Sequence, residues 1–189
     1  MLSSRRFYDA LTFAAHAHRD QVRKGSGVPY LGHILGVASL VIDHGGTEDE
    51  AIAALLHDAI EDQGGDDMRQ EIRTRYGEAV MEIVNGCTDT DITPKPPWHP
   101  RKEAFFVRLR TASTSVLLVC AADKLHNARS VLTDLRKSGD AVWDRFKGGK
   151  DGSLWYYRTA AEILSERLPC RITEELRAAV EAVEAEARA

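Results

Sequence analysis

Hydrophobic positions along this chain recur at three- and four-residue spacing in segment after segment, and nowhere do they alternate. Arg5 to Arg19 places Phe7, Leu11, Ala14, Ala15 and His18 on one helical face. Leu35, Val37, Ala38, Leu40, Val41 and Ile42 predict a second, buried helix, led by His33 and ended by Gly45-Gly46. Thr47 with Glu50 three residues on has the form of a capping box and opens a third. This one runs through Ile52 to Leu56 without a polar residue, continues into His57-Asp58-Ala59-Ile60-Glu61-Asp62, and stops at Gln63-Gly64-Gly65. Asp66–Tyr76 and Glu78–Val84 read as two short helices split at Gly77. Asn85 to Pro100 holds four of the six prolines, so it reads as a loop, long enough to suggest a lid. A helix opening at Arg101-Lys102 follows, with Phe105, Phe106 and Leu109. Leu118, Ala121, Leu125, Ala128, Leu132 and Leu135 then form a core stripe on a helix over Ser115–Leu135. Trp143–Gly149 is a short aromatic, basic segment, and Leu154–Arg167 and Ile172–Ala187 predict two closing helices. The expected fold is all-α, a multi-helix bundle with a Pro-rich loop near the active site, in a single domain over 1–189.

Composition narrows the function classes. Hydrophobic content of 43% and charged content of 29% describe an ordinary globular chain. A net charge of −4 gives no support for a nucleic-acid partner. The longest apolar run, Val116 to Ala122, is too short to span a membrane, and the interrupted start does not read as a secretory leader. Cys87, Cys120 and Cys170 are too few and scattered for a disulfide framework or a cysteine zinc site, so a reducing cytoplasm is the expected location. Nothing in the composition sets the oligomeric state.

The chemistry sits where polar groups intrude on apolar helices. On one continuous helix, His57 and Asp58 lie about 100° apart and can reach one ion, and Glu61 and Asp62 follow one turn, roughly 6 Å, further on. Carboxylates at a helix C-terminus oppose the dipole, and near-buried ones are rare unless paired or metal-bound. His33, at a helix start, is favoured as neutral imidazole, the metal-binding form. Asp123 lies beside Ala121 and Ala122 and needs a partner, with Asn127 on its face and Lys124, His126 and Arg129 close by. Collected, the set is His33, His57, Asp58 and Asp123. Two imidazoles and two carboxylates suit Mn²⁺, with other first-row divalent ions possible. Upstream, Arg23-Lys24 before Gly25-Ser26-Gly27-Val28-Pro29-Tyr30 reads either as a solvated loop or as an anion-contacting loop with a stacking ring. His16 and His18 are not counted as ligands.

Three ordered motifs carry a resemblance: Arg23-Lys24-x-x-Gly27-x-Pro29-Tyr30-x-x-His33; Ala53-Ala54-Leu55-Leu56-His57-Asp58-x-x-Glu61-Asp62; and Ala122-Asp123-Lys124-Leu125-His126-Asn127-x-Arg129. Together they resemble the HD superfamily of metal-dependent phosphohydrolases, and more closely the hydrolase domain of RelA/SpoT homologues. The match runs from Ala14 to Arg129 and weakens toward Arg167; the chain length resembles that of stand-alone small alarmone hydrolases. The resemblance implies that His33, His57, Asp58 and Asp123 hold the metal. It assigns Glu61 and Asp62 to the nucleophilic water, and Arg23, Lys24, Asn127, Lys102 and Tyr156 to the substrate. Ile34 stands where the family usually has Pro, and the Pro-rich loop and Trp98 are atypical.

The implied activity is hydrolysis of the 3′-pyrophosphate of (p)ppGpp to GDP or GTP plus pyrophosphate. Two rivals share parts of the pattern. A related phosphatase acting on ppApp or NADPH would keep every metal ligand and differ in loop contacts. A non-enzymatic nucleotide sensor should lose a ligand or the Glu61-Asp62 pair, and this chain keeps all six residues.

Overall fold

A computed structural model describes residues 4–92 and 94–188 of the chain; Thr93, within the expected Pro-rich loop, and both extreme ends lie outside the described residues. Among the described residues ten α-helices run in order: α1 (Arg5–Ala17), α2 (Leu31–Asp43), α3 (Glu48–Leu56), α4 (Ala59–Gln63), α5 (Gly65–Tyr76), α6 (Glu78–Cys87), α7 (Trp98–Leu109), α8 (Thr114–Ser138), α9 (Gly149–Arg167) and α10 (Arg171–Arg188). A 3₁₀ segment, Gly139–Arg145, joins α8 to α9. Among the described residues the only β-type pairing is an isolated bridge between Val22 and Pro29. The fold class is all-α, as the periodicity predicts, and no described helix is long and apolar enough to cross a membrane.

The buried apolar residues join in one continuous core. The 25-residue α8 is its spine, touched by α2, α3, α6, α9 and α10. The stretch Ala51–Leu56 of α3 is fully buried, so this part of the helix is apolar on every side. Its start is the predicted capping box: the Thr47 hydroxyl accepts from the Glu50 amide, and the Glu50 carboxylate accepts from the Thr47 amide at 2.6 Å.

The structure departs from the predicted elements at four places. The helix through His57 is not continuous. It breaks there, and His57 and Asp58 occupy the turn between α3 and α4. The His57 Nδ1–H donates to the Ala54 carbonyl at 2.8 Å, satisfying an acceptor that the ended helix leaves free. Glu61 and Asp62 therefore lie in the first turn of α4, where carboxylates complement a helix dipole rather than oppose it. Second, α6 continues past Val84 to Cys87, because Gly86 has no side chain to strike Val116, whose Cγ2 lies 2.6 Å from where a Cβ would be. Third, α7 begins at Trp98, with Pro100 in its first turn, where the missing N–H costs nothing. Of the described residues, 88–92 and 94–97 are non-helical, rather than all of 85–100. Fourth, α9 begins at Gly149, five residues early, with the Trp98 ring lying against Gly148 and Gly152 where side chains would collide.

Candidate metal centre and cleft

The bundle brings two helices and one turn together around His33, His57, Asp58 and Asp123. His33 is on the first turn of α2, His57 and Asp58 fill the α3–α4 turn, and Asp123 lies midway along α8. The two Nε2 atoms of His33 and His57 are 3.3 Å apart. Asp58 Oδ2 lies 2.9 Å from His57 Nε2 and 3.7 Å from His33 Nε2. Asp123 Oδ1 lies 3.3 Å from His33 Nε2 and 3.7 Å from His57 Nε2. Donors each about 2.1 Å from a shared ion stand roughly 3.0–3.4 Å apart at octahedral or tetrahedral angles. The observed separations fall around that range, and His33, His57 and Asp58 form a cluster capable of coordinating a divalent metal.

The ring tautomers fit this as well. With Nδ1–H given to Ala54, His57 offers a bare Nε2 to the cluster. His33 Nδ1 lies 3.0 Å from His126 Nδ1. Burial pushes the His126 imidazole down to about 4, so it stays neutral and accepts the His33 Nδ1–H, leaving His33 Nε2 bare too. In the neutral, metal-binding form of the rings both Nε2 atoms would present an electron pair to an ion held between them and the carboxylates. Burial alone would drive the His57 imidazole down, but Asp58 and Asp123 lift it well above the usual histidine range. Against their own burial, Asp58 is held well below the carboxylate range by His57 and His33, and Asp123 by Lys124, His33 and His57. The site demands positive charge, which a divalent cation supplies.

The cluster forms part of a cleft of about 390 Å³. Glu61, Asp62, Arg23, Lys24, Lys102, Asn127 and Tyr156 all line it. Glu61 accepts from Lys95 Nζ at 2.7 Å, and Asp62 from Gln21 Nε2 at 2.8 Å. Arg23 donates to Asn127 Oδ1 at 2.9 Å, and Asn127 Nδ2 donates to Asp123, so Asn127 links the Arg23 loop to the cluster. Lys102 donates to Asp89 and lies 4.8 Å from the Tyr156 ring centre. Burial lowers its pKa.

Sequence reasoning passed over several groups. Tyr30, read as a stacking ring, donates its hydroxyl to Asp58 instead. Burial and Asp58 push that hydroxyl far above the usual tyrosine range, so it stays a donor. Lys124 pairs with the second oxygen of Asp123, and its ammonium is held firmly protonated by that carboxylate despite burial. Lys95, Arg101 and Arg145 also line the cleft. Lys124 and His126 stand inside the motif around Asp123, a signal that could have drawn them in. Lys95, in the Pro-rich stretch, had no local signal. His16 is exposed, and His18 is buried with its Nδ1 2.6 Å from Gln21 Oε1, so neither joins the cluster.

Residues 10–153 match the HD domain family. This chain belongs to that family. The match extends beyond the expected 14–129 and takes in the 3₁₀ segment and the start of α9. The guanosine-3′,5′-bis(diphosphate) 3′-pyrophosphohydrolase MESH1 of Mus musculus is 33% identical over 159 residues, covering 82% of this chain and 81% of its own. Among solved structures, lmo0812 from Listeria monocytogenes EGD-e superposes with a TM-score of 0.68 at 29% identity, over 83% of this chain and 99% of that one. The structure of a metazoan ortholog of SpoT that hydrolyzes ppGpp has a TM-score of 0.77 over 96% and 97% of the two chains; at 24% identity it speaks for the shared fold. The HD-family chain described here is a phosphohydrolase of the MESH1 type, with a His-His-Asp metal cluster.

Proposed function

We propose that this chain hydrolyses the 3′-pyrophosphate of guanosine alarmones, (p)ppGpp, releasing pyrophosphate and GDP or GTP, as a single domain over 1–189 acting in the cytoplasm. The observation that carries the reading is the meeting of His33, His57, Asp58 and Asp123 in a cleft walled by cations, in a chain one-third identical to an alarmone pyrophosphohydrolase. Those four side chains would hold the metal, with Mn²⁺ best matched to two imidazoles and two carboxylates. When bound, the ion polarises a phosphoryl oxygen and lowers the pKa of a water.

The remaining steps belong to the chain. Glu61 and Asp62 orient the nucleophilic water and accept its proton. Arg23, Lys24 and Lys102 offset phosphate charge, and Tyr156 offers a ring face beside Lys102. Asn127 steadies Asp123 and Arg23 together. Lys95 on the Pro-rich stretch 88–97 reaches Glu61, which supports a lid role for that stretch.

The test is product analysis by chromatography over ppGpp, pppGpp, ppApp and NADPH with Mn²⁺. Pyrophosphate plus GDP or GTP, from the guanosine substrates ahead of the others, is the expected result. Preferential turnover of ppApp or NADPH reassigns the substrate. Tight nucleotide binding with no product from any of the four overturns the enzyme reading in favour of a sensor.

A further inference from the structure

The cysteines scattered in the sequence are not all apart in space. Cys87 closes α6 and Cys120 lies in the first half of α8, and their sulfurs are 3.6 Å apart. The close approach of Gly86 to Val116 lets the two helices meet this tightly. Cys120 is buried, whereas Cys87 is half-buried and lines the cleft. One thiol is therefore reached from the cleft and the other waits behind it. Contact with the Cys87 thiol and, after the opposing effect of burial, the Lys124 ammonium hold the Cys120 thiol below its usual range.

We propose that Cys87 and Cys120 form a redox-modification site, a dithiol that a peroxide entering the cleft oxidises to an intramolecular disulfide. Contact with Cys120 and burial hold the Cys87 thiol well above the usual thiol range. It passes its proton to the Cys120 thiolate as its sulfur attacks one peroxide oxygen, and the departing hydroxide takes that proton back from Cys120. The O–O bond breaks, Cys87 becomes a sulfenic acid, and hydroxide leaves to be protonated to water. The Cys120 thiolate then attacks the Cys87 sulfur, the S–O bond breaks, and a second water departs once protonated. Two thiols and one hydrogen peroxide give one disulfide and two waters, with two electrons passing to the peroxide. The sulfurs need to approach by about 1.5 Å to reach bonding distance.

The bond would tie together two parts of the cleft. Asp89, two residues beyond Cys87, holds both Arg101 and Lys102. Asp123 and Lys124 follow Cys120 by one helical turn. The closed loop would contain the Pro-rich stretch and all of α7. Its covalent restraint raises thermal stability and limits adjustment of the cation wall to an anionic substrate. In a reducing cytoplasm the bond would be transient, which suits a response to oxidant. The oxidation chemistry stands alone; its effect on the cleft rests on the alarmone reading above.

The experiment exposes the full chain, metal-loaded, to hydrogen peroxide, alkylates free thiols and maps peptides without reduction. A linked peptide joining Cys87 to Cys120, two hydrogens lighter than the reduced pair and released by dithiothreitol, is the expected result. The melting temperature should rise by several degrees, and KM for ppGpp should rise several-fold and recover on reduction. Cys170→Ser should leave all three responses intact, and Cys87→Ser should abolish them. Absence of the linked peptide, or linkage through Cys170, overturns the proposal. So does an equal KM response to peroxide in Cys87→Ser. If no nucleotide is hydrolysed at all, the alarmone reading fails, and the peptide map and melting shift still decide whether the redox site exists.

Discussion

The two parts of the cleft are built on opposite terms. Around His33 and His57 every orienting bond is made within the protein. Ala54 and His126 take the two Nδ1 positions, Tyr30 donates to Asp58, and Lys124 and Asn127 donate to Asp123. On the cation wall, Lys95 rests on Glu61, and Arg101 and Lys102 rest on Asp89. Those pairs join groups that face the cleft, so a phosphate can compete for the same cations. The first arrangement fixes geometry before anything binds; the second holds charge in reserve and exchanges it. Asp89 Oδ1 and Arg101 Nε, both buried without a hydrogen-bond partner among the described residues, show that the wall is less completely satisfied than the cluster.

If that contrast is right, substitutions in the cluster should act on metal and turnover, and those on the wall should act on substrate affinity. The largest effect is expected from Asp58→Asn. It removes a charge from the cluster, so bound metal, measured by elemental analysis, should be lost, and activity should fall further than the ~10²–10⁴-fold that a missing general base costs. Stoichiometric metal in this variant would break the comparison outright.

Next is Glu61→Gln, which keeps size and hydrogen bonding but cannot take a proton. Here kcat should fall by about 10²–10⁴-fold with metal retained. Loss of metal would move Glu61 into the ligand set; unchanged turnover would leave the Lys95–Glu61 pair purely structural.

Third, His126→Ala should weaken metal affinity by about 10–100-fold in a chelator competition, because His33 loses the acceptor that orients it. Gly36→Ala should act in the same direction, since its Cβ would stand 2.3 Å from the His126 ring. Metal affinity unchanged in both variants would show that His33 is oriented by packing alone.

The smallest effect is expected on the wall. Lys24→Ala should raise KM by about tenfold, equivalent to ~1.4 kcal/mol, with less change in kcat. A pure kcat effect would place Lys24 with the transition state and blur the distinction between the two parts.

The helical class, the order of the elements and the four residues of the cluster were all legible in the sequence. Two of the sites break a local rule, a His-Asp pair after a fully apolar turn and an Asp among alanines, whereas His33 by itself would read as a capping or core residue and stands out only within the set. The break between α3 and α4 was not legible. Ala59 and Glu61 are good helix formers, and no Gly or Pro interrupts the pattern before Gly64. The bounds read for the Pro-rich stretch were not those of the structure, because α7 takes in Pro100 and α6 takes in Gly86.

By itself, the sequence determined what depends on spacing along one segment: helical periodicity, the Thr47–Glu50 cap, and which polar groups sit uneasily among apolar neighbours. Only the tertiary structure decided what depends on separate segments meeting. Tyr30 turns to Asp58 across 28 residues, His126 meets His33 across 93, Lys95 reaches Glu61 across 34, and Cys87 meets Cys120 across 33. The physical reason is range. A helix is closed by hydrogen bonds four residues apart, so local composition specifies it. The partner of a buried polar group is set by which helices pack side by side, and small residues such as Gly36 and Gly86 settle that by letting two surfaces approach.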